Sequence, residues 1–214
     1  MELEPFINYF TNHWDSYLLA VREHIEIVFL SMLFASTIGI IFGILCTRFR
    51  RIKPFITGTF STLRVIPSLA VLMLMIPIVG IGFKSAAIAL VFLAIPPILI
   101  NTMLAFESLP QSVLETAVGM GMSKNRIFFT VKIPLALPLI MAGIRTAVVE
   151  VIASATLATY IGAGGLGNII FTGLGLMRSD LLLIGGISVA ILSLLAGFLL
   201  SCLESRLFRY RSLK

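Results

Sequence analysis

The chain has 214 residues, of which 58% are hydrophobic and only 12% are charged, and its formal net charge is +6. A soluble domain carries roughly a quarter of its residues as charged side chains, so this composition excludes an ordinary soluble fold and indicates a lipid environment. The positive charge does not indicate nucleic acid, because the basic residues cluster at the ends of apolar segments. We predict an all-α integral membrane protein.

Cysteine and histidine give no sign of a disulfide or a metal site. Cys46 and Cys202 form no C-x-x-C pair, and His13 and His24 have no neighbouring ligand residues in the sequence. We therefore expect neither a disulfide nor a bound metal. The N-terminus is acidic and the first long apolar segment begins late, so no cleavable signal peptide is expected.

The first 23 residues have an amphipathic pattern. Apolar side chains recur at helical spacing against a polar face, at Phe6, Phe10, Trp14, Tyr17 and Leu18. This pattern favours an N-terminal extracytoplasmic helix that lies in the membrane interface. A disordered tail is the alternative.

Five segments are long and apolar enough to cross a bilayer, which takes about 20 residues of helix. Four of them are uncharged: Ile27–Thr47, Val65–Phe83, Ser85–Phe106 and Leu181–Leu203. The fifth, from about Ile133 to Ile161, is interrupted only by Arg145 and Glu150. Residues 162–177 are also uncharged, but their many glycines make a poor helix and predict an external loop with a short helix.

The distribution of Lys and Arg predicts the orientation of these five spans. If the N-terminus is extracytoplasmic, only Arg22, Lys84 and Arg178 lie on the extracytoplasmic side of the membrane. The predicted cytoplasmic segments hold Arg48, Arg50, Arg51 and Lys53, then Lys124, Arg126 and Lys132, then Arg206, Arg209, Arg211 and Lys214. This bias predicts a multi-pass protein whose C-terminus is cytoplasmic.

A polar island, residues 112–122, lies between the third and fourth spans. Ser112 and Glu115 have the spacing of a capping box, which predicts a helix over Ser112–Met122. Small residues in it would let a partner approach closely, and methionines can fill an irregular groove. A simple turn at Gly119 and Gly121 is the alternative. The residues expected to contact a partner are Glu115, Ala117, Gly119, Met120, Gly121, Met122 and Lys124.

Two charges lie inside a predicted span. A charge near the bilayer centre costs about 3 kcal/mol or more, so Arg145 and Glu150 should face a cavity or a partner. Five residues of helix turn through about 140°, so the two should not pair with each other. We expect Arg145 to meet another helix and Glu150 to face a cavity or a subunit interface; structural packing is the alternative for each. Arg64, near a span end, is expected to snorkel.

Prolines interrupt or begin several spans, and a freed carbonyl is tolerated beside a cavity or another helix. We predict hinges at Pro67, Pro77 and Pro134. Small residues near Glu150, including Ser154, leave room for close packing or for a pathway.

Four stretches of the sequence carry a resemblance to a known family. The spacing E-T-A-x3-G-x9-V-x-I-P over residues 115–134 resembles the EAA loop of ABC-importer permeases, whose consensus is EAA-x3-G-x9-I-x-L-P. Residues 63–84, 143–147 and 155–167 are similar to compatible-solute permeases. Together they span roughly residues 60–175, most of the chain, and resemble the permease subunit of a glycine betaine/carnitine/choline ABC importer. The departures at Thr116, Val131 and Ile133 are conservative.

The resemblance implies a type I importer permease fold, with a permease domain over 24–206, a cytoplasmic coupling loop over 107–133 and a basic tail over 207–214. It also implies a second permease subunit, two ATPase subunits that bind ATP and Mg, and an external solute-binding protein. The chain itself is expected to hold no cofactor and catalyse no reaction, because its G-x-G-x-x-G at 162–167 follows a membrane helix rather than a strand. The pathway and gate residues expected on this basis are Arg145, Glu150, Ser154, Gly162, Gly164, Gly165 and Gly167.

Three other interpretations stay open. A permease for another small solute, such as methionine, fits the same loop. A secondary transporter or channel would use Glu150 and Arg145 as an ion relay and need no ATPase. A membrane scaffold would explain a docking loop, but not the internal charges or the glycine-rich turn.

Overall fold

The structure is a computed structural model that describes residues 4–49, 51 and 53–207. Arg50 and nearly all of the predicted basic tail, including Arg209, Arg211 and Lys214, lie outside the described residues. The described part is helical and contains no strand. Its helices are α1 (Glu4–Asn12), α2 (Trp14–Arg48), α3 (Lys53–Leu63), α4 (Ser68–Val79), α5 (Phe83–Glu107), α6 (Gln111–Gly119), α7 (Lys124–Ile127), α8 (Ile133–Leu157), α9 (Gly167–Gly175) and α10 (Ser179–Leu207). A π-helical turn, Phe128–Lys132, joins α7 to α8, and a 3-10 turn, Ala158–Ile161, follows α8.

Four helical stretches within the described residues are long and apolar enough to cross a membrane: α2, α5, the run Lys124–Ile161 and α10. The pair α3 and α4 also qualifies together, although it is bent by 99°. Counting that pair as one span gives the predicted five. The all-α membrane fold is therefore confirmed.

The second predicted span was wrong as a single helix over Val65–Phe83. The helical chain begins earlier, at Lys53, and breaks between Leu63 and Ser68. Pro67 is the cause, because its ring has no N–H to donate and disfavours helical geometry in the residue before it. Pro67 is extended, with φ −56° and ψ 136°, and α4 starts at the next residue.

The predicted interfacial helix is divided in two. Helix α1 ends at Asn12, and residues 14–23 are the first turns of the 35-residue α2. The predicted apolar face is divided as well: Phe6, Phe10 and Tyr17 pack on a cluster that α2, α9 and α10 form around Leu166, whereas Trp14 and Leu18 stay exposed. Three of the five residues of that face therefore pack on the protein's own loop and last helix.

The core is formed by α2, α5 and α8, with α4 against one side. Glycines let these helices approach: a Cβ added to Gly43 would lie 2.6 Å from the Thr102 Cβ, and one added to Gly143 would lie 2.9 Å from the Pro97 carbonyl oxygen. Close approach over small residues is the usual way in which helices associate in lipid. Polar contacts reinforce it, since Ser31 donates to the Ala87 carbonyl at 3.3 Å.

Candidate coupling surface and interhelical ion pairs

Helix α6 is the core of the polar island, but it does not begin with the predicted capping box. It starts at Gln111, directly after Pro110, and no side chain caps it. Proline presets a backbone angle suited to a helix start, so the helix begins one residue before Ser112. Ser112 is instead an interior residue, whose carbonyl accepts a 2.8 Å hydrogen bond from the Thr116 hydroxyl.

The end of α6 is a tight turn, not a continued helix to Met122. The last helical residue is Gly119, and Gly121 follows in a left-handed conformation with φ 74°. The Met122 amide donates to the Ala117 carbonyl at 3.2 Å, which closes the helix end in the manner of a Schellman motif. The simple turn that was the alternative interpretation of Gly119 and Gly121 is therefore present. It is residue 121, and not residue 119, whose backbone conformation requires a glycine.

The exposed face of α6 differs in part from the predicted contact set. Ala117 is only 2% exposed, so it packs within the chain and offers no surface to a partner. Met120 is 69% exposed, and a Cβ added to Gly119 would meet nothing within 4 Å. Glu115, Gly121 and Lys124 are exposed and Met122 is half-buried. Val118 was not in the predicted contact set, although it is 64% exposed and adds apolar area beside Met120.

A second short helix, α7, returns the chain to the bundle. The Ser123 hydroxyl caps it by accepting a hydrogen bond from the Arg126 amide at 3.4 Å. The chain stays helical from Lys124 into α8, with the π-helical turn between the two α-helices. Pro134 lies just after that turn, as the second residue of α8.

A groove of about 1090 Å³ separates α6 from the ends of the long helices. Its lining includes the stacked rings of Phe106 and Phe128, with centroids 5.8 Å apart. Four basic side chains also line it: Arg48, Lys53, Lys124 and Lys132. Lys53 donates to both carboxylate oxygens of Glu107, at 2.7 and 2.8 Å, and so ties α3 to α5. The basic residues predicted to share one membrane side therefore do gather at one end of the bundle; which side that end faces stays a prediction.

The two charges predicted inside a span each pair with another helix, and not with each other. Arg145 donates to the Ser201 hydroxyl at 3.0 Å and lies 3.5 Å from the Glu204 carboxylate, so it joins α8 to α10. Glu150 pairs with Arg64 at 3.2 Å. Arg64, which was expected to snorkel, lies in the break before Pro67 and contacts Glu150 on α8; whether it also reaches the membrane interface stays a prediction. Arg64 and Glu150 are 86 residues apart in the chain, and no local sequence pattern predicts their pairing.

The remaining predicted gate residues lie in two separate places. Ser154 lines a groove of about 390 Å³ together with Arg64 and Glu150. The glycines form a loop at the opposite end of the bundle from α6, where a Cβ on Gly164 would strike the Glu23 carboxylate and one on Gly167 the Thr156 carbonyl. Gly162, Gly164 and Gly165 all have positive φ. The same loop holds the short helix α9 that the sequence predicted.

Glu23 has a structural role that no sequence pattern predicted. Its carboxylate accepts a 2.8 Å hydrogen bond from the Gly165 amide and so attaches the glycine loop to α2. Replacing Glu23 with alanine should lower stability by about 1.5–3 kcal/mol, the range for a hydrogen bond to a charged group. Thermal unfolding in detergent measures this. The control is Glu26→Ala, one turn along α2, whose exposed pair with Arg22 should matter little; equal losses from the two variants would contradict the role of Glu23.

The bundle of apolar helices, with the short exposed helix α6 at its basic end, defines a polytopic membrane protein. Residues 36–209 match the family described as the binding-protein-dependent transport system inner membrane component. The chain belongs to this family, which confirms the resemblance carried by the E-T-A-x3-G spacing.

Named relatives lie within the same family. The chain is 40% identical over 158 residues to the carnitine transport permease protein OpuCB of Listeria monocytogenes, covering 74% of this chain and 72% of that protein. It is 34% identical to the choline transport system permease protein OpuBB of Bacillus subtilis (strain 168), covering 74% and 73%.

Solved structures share the fold. A chain of the MetNI methionine ABC transporter in an inward-facing conformation superposes with a TM-score of 0.80 at 25% identity, over 89% of this chain and 95% of that one. A chain of an amino acid ABC transporter crystallised with histidines gives 0.79 at 16% identity, over 96% and 99%. The second likeness is one of fold alone.

Proposed function

We propose that this protein is the membrane-spanning subunit of an ATP-driven importer for compatible solutes, namely glycine betaine, carnitine, choline or similar quaternary amines. The observation that carries the proposal is α6, a short exposed helix with the E-T-A-x3-G spacing on a chain 40% identical to a carnitine permease. An exposed helix with an open glycine at its end suits docking of another protein. The solute class rests on the relatives.

In this proposal the ATPase subunits move α6, and that movement opens a solute pathway between the spans. The chain itself catalyses no reaction. Two ATPase subunits, which bind ATP and Mg, each hold the α6 of one permease subunit, and a second permease subunit completes the pathway. Helix α6 connects through α7 and the π-helical turn to α8, and the stretch Lys124–Ile161 is one run of 38 residues. Movement of α6 thus passes through the turn at residues 120–123 and then along this helical run into α8. An external binding protein delivers the solute.

Reconstitution into proteoliposomes tests the proposal. The permease with its ATPase and binding protein should accumulate labelled glycine betaine, carnitine or choline when ATP is supplied on the ATPase side. Uptake should need ATP and should not follow an imposed proton or sodium gradient. Accumulation driven by a gradient without ATP would contradict the proposal and favour a secondary transporter, in which Glu150 and Arg145 relay an ion.

Methionine is the second candidate solute, because the MetNI methionine transporter superposes with a TM-score of 0.80. The same proteoliposomes with labelled methionine distinguish the two. We expect methionine to be taken up far more slowly than a quaternary amine. Faster methionine uptake would retain the ATP-driven mechanism and replace the solute class.

A further inference from the structure

The break between α3 and α4 brings a pair of opposite charges into an open groove. Arg64 lies in the break, and its guanidinium is 3.2 Å from the carboxylate of Glu150 on α8. Their side chains remain 46% and 41% exposed, although each has an ion-pair partner. The groove around them has a volume of about 390 Å³, within the range of small-molecule sites.

The Arg64–Glu150 pair makes fewer and longer hydrogen bonds than the pair between Lys53 and Glu107. Arg64 uses one nitrogen and Glu150 one oxygen, and neither side chain makes another hydrogen bond among the described residues. Lys53, by contrast, reaches both oxygens of Glu107. A guanidinium has five donors and a carboxylate two acceptor oxygens, so most of the binding capacity of Arg64 and Glu150 remains unused.

The groove is unsuited to face hydrocarbon. Charged side chains within a span face water or protein, and non-helical backbone at membrane depth is tolerated only where it is buried or lines a water-filled cavity. The groove presents both, since Arg64 and Pro67 belong to the break and Glu150 to a spanning helix. Broken helices of this kind commonly form the solute sites of transporters.

We propose that this groove is a solute site for a zwitterion with a quaternary ammonium and a carboxylate. Arg64 binds the solute carboxylate through two nitrogens, and Glu150 binds the ammonium. The resting Arg64–Glu150 pair is thereby exchanged for two pairs with the solute, which leaves no charge uncompensated. This inference rests on the proposed function, whose solute class it refines.

The other lining residues fit a quaternary ammonium. Its methyl groups donate no strong hydrogen bonds, so it needs a counter-charge beside apolar surface rather than a cluster of acceptors. Leu93, Pro96 and Ala153 supply that surface next to Glu150. The Ser154 hydroxyl, on the same groove wall, is a polar group within the apolar surface.

The pair predicts a preference between two quaternary amines. Glycine betaine carries a carboxylate for Arg64, whereas choline carries none. Choline at Glu150 would separate the ion pair and leave Arg64 without a partner, which is unfavourable in a span. The groove should therefore bind glycine betaine more tightly than choline.

Binding to the permease–ATPase complex in nanodiscs, without the binding protein, tests the site. Saturation-transfer NMR titrations give the Kd of glycine betaine and of choline. Arg64→Gln should weaken glycine betaine binding about tenfold or more, the size of a lost charge-assisted hydrogen bond, while choline binding stays equal or tightens. Glu150→Gln should weaken both. If the pair were purely structural, Arg64→Gln and Glu150→Gln would each change the Kd of glycine betaine and the Kd of choline in the same direction.

Arg64→Lys and Arg178→Gln complete the test. Arg64→Lys keeps the charge, so it should retain the preference even if Arg64→Gln fails to fold. Arg178 pairs with Asp180 outside the groove, and its replacement should change neither Kd. Absence of glycine betaine binding to the wild-type complex, or equal losses of both probes in Arg64→Gln, would overturn the site. If ATP-driven uptake nevertheless persists, the proposed function stands without it; if uptake needs no ATP, the proposed function itself fails.

Discussion

Replacing Gly119 with arginine is expected to abolish ATP-driven uptake while the protein still inserts and folds. A Cβ at this position would meet nothing within 4 Å, so the larger side chain fits within the permease itself. It would, however, occupy the space that the ATPase needs beside Met120. Loss of about 3 kcal/mol of docking energy, the size of a strong interface contact, lowers association about a hundredfold. Co-purification of the ATPase with the permease measures this directly.

Gly175→Arg is the matched control. Gly175 is likewise the exposed last residue of a nine-residue helix, with nothing within 4 Å of an added Cβ, but α9 lies at the opposite end of the bundle. This variant should retain the ATPase. Gly121→Arg is a poorer test, because the left-handed backbone there would be strained by any side chain. Normal association and uptake by Gly119→Arg would contradict the docking role of α6.

Replacing Gly43 or Gly143 with leucine is expected to unfold the protein or to prevent its assembly in the membrane. Each glycine lies against α5, and an added Cβ would come within 2.9 Å of the Leu99 or the Pro97 carbonyl oxygen. Backbone atoms cannot move aside as a flexible side chain can, so the helices must separate. Overpacking typically costs 1–3 kcal/mol, and we expect about 3 kcal/mol or more here.

Thermal unfolding and the monodisperse yield in detergent measure this loss. Gly186→Leu is the control, since Gly186 lies on α10 with nothing within 4 Å of an added Cβ. It should keep the wild-type unfolding temperature. Equal temperatures for the Gly43→Leu and wild-type proteins would show that α2 and α5 do not depend on this close approach.

The all-α membrane class, four of the five spans and the position of the polar loop before α8 were determined by the sequence alone. The reason is that a bilayer imposes a length of about 20 apolar residues on each helix and drives polar segments out of the hydrocarbon. Both constraints act on local sequence. The E-T-A-x3-G spacing is also local, since its residues lie within α6 and the turn that ends it.

Only the tertiary structure decided which charges meet and which small residues of α6 are exposed. Arg64 and Glu150 are far apart in sequence, and their contact depends on the 99° bend before α4. Ala117 belongs to the predicted contact set because it is a small residue, but in the folded chain it is only 2% exposed. Nothing in the sequence distinguishes Glu23 from other polar residues; its role follows from the hydrogen bond that it accepts from the glycine loop. These contacts depend on how the helices are placed against one another, which helical periodicity and span length leave undetermined.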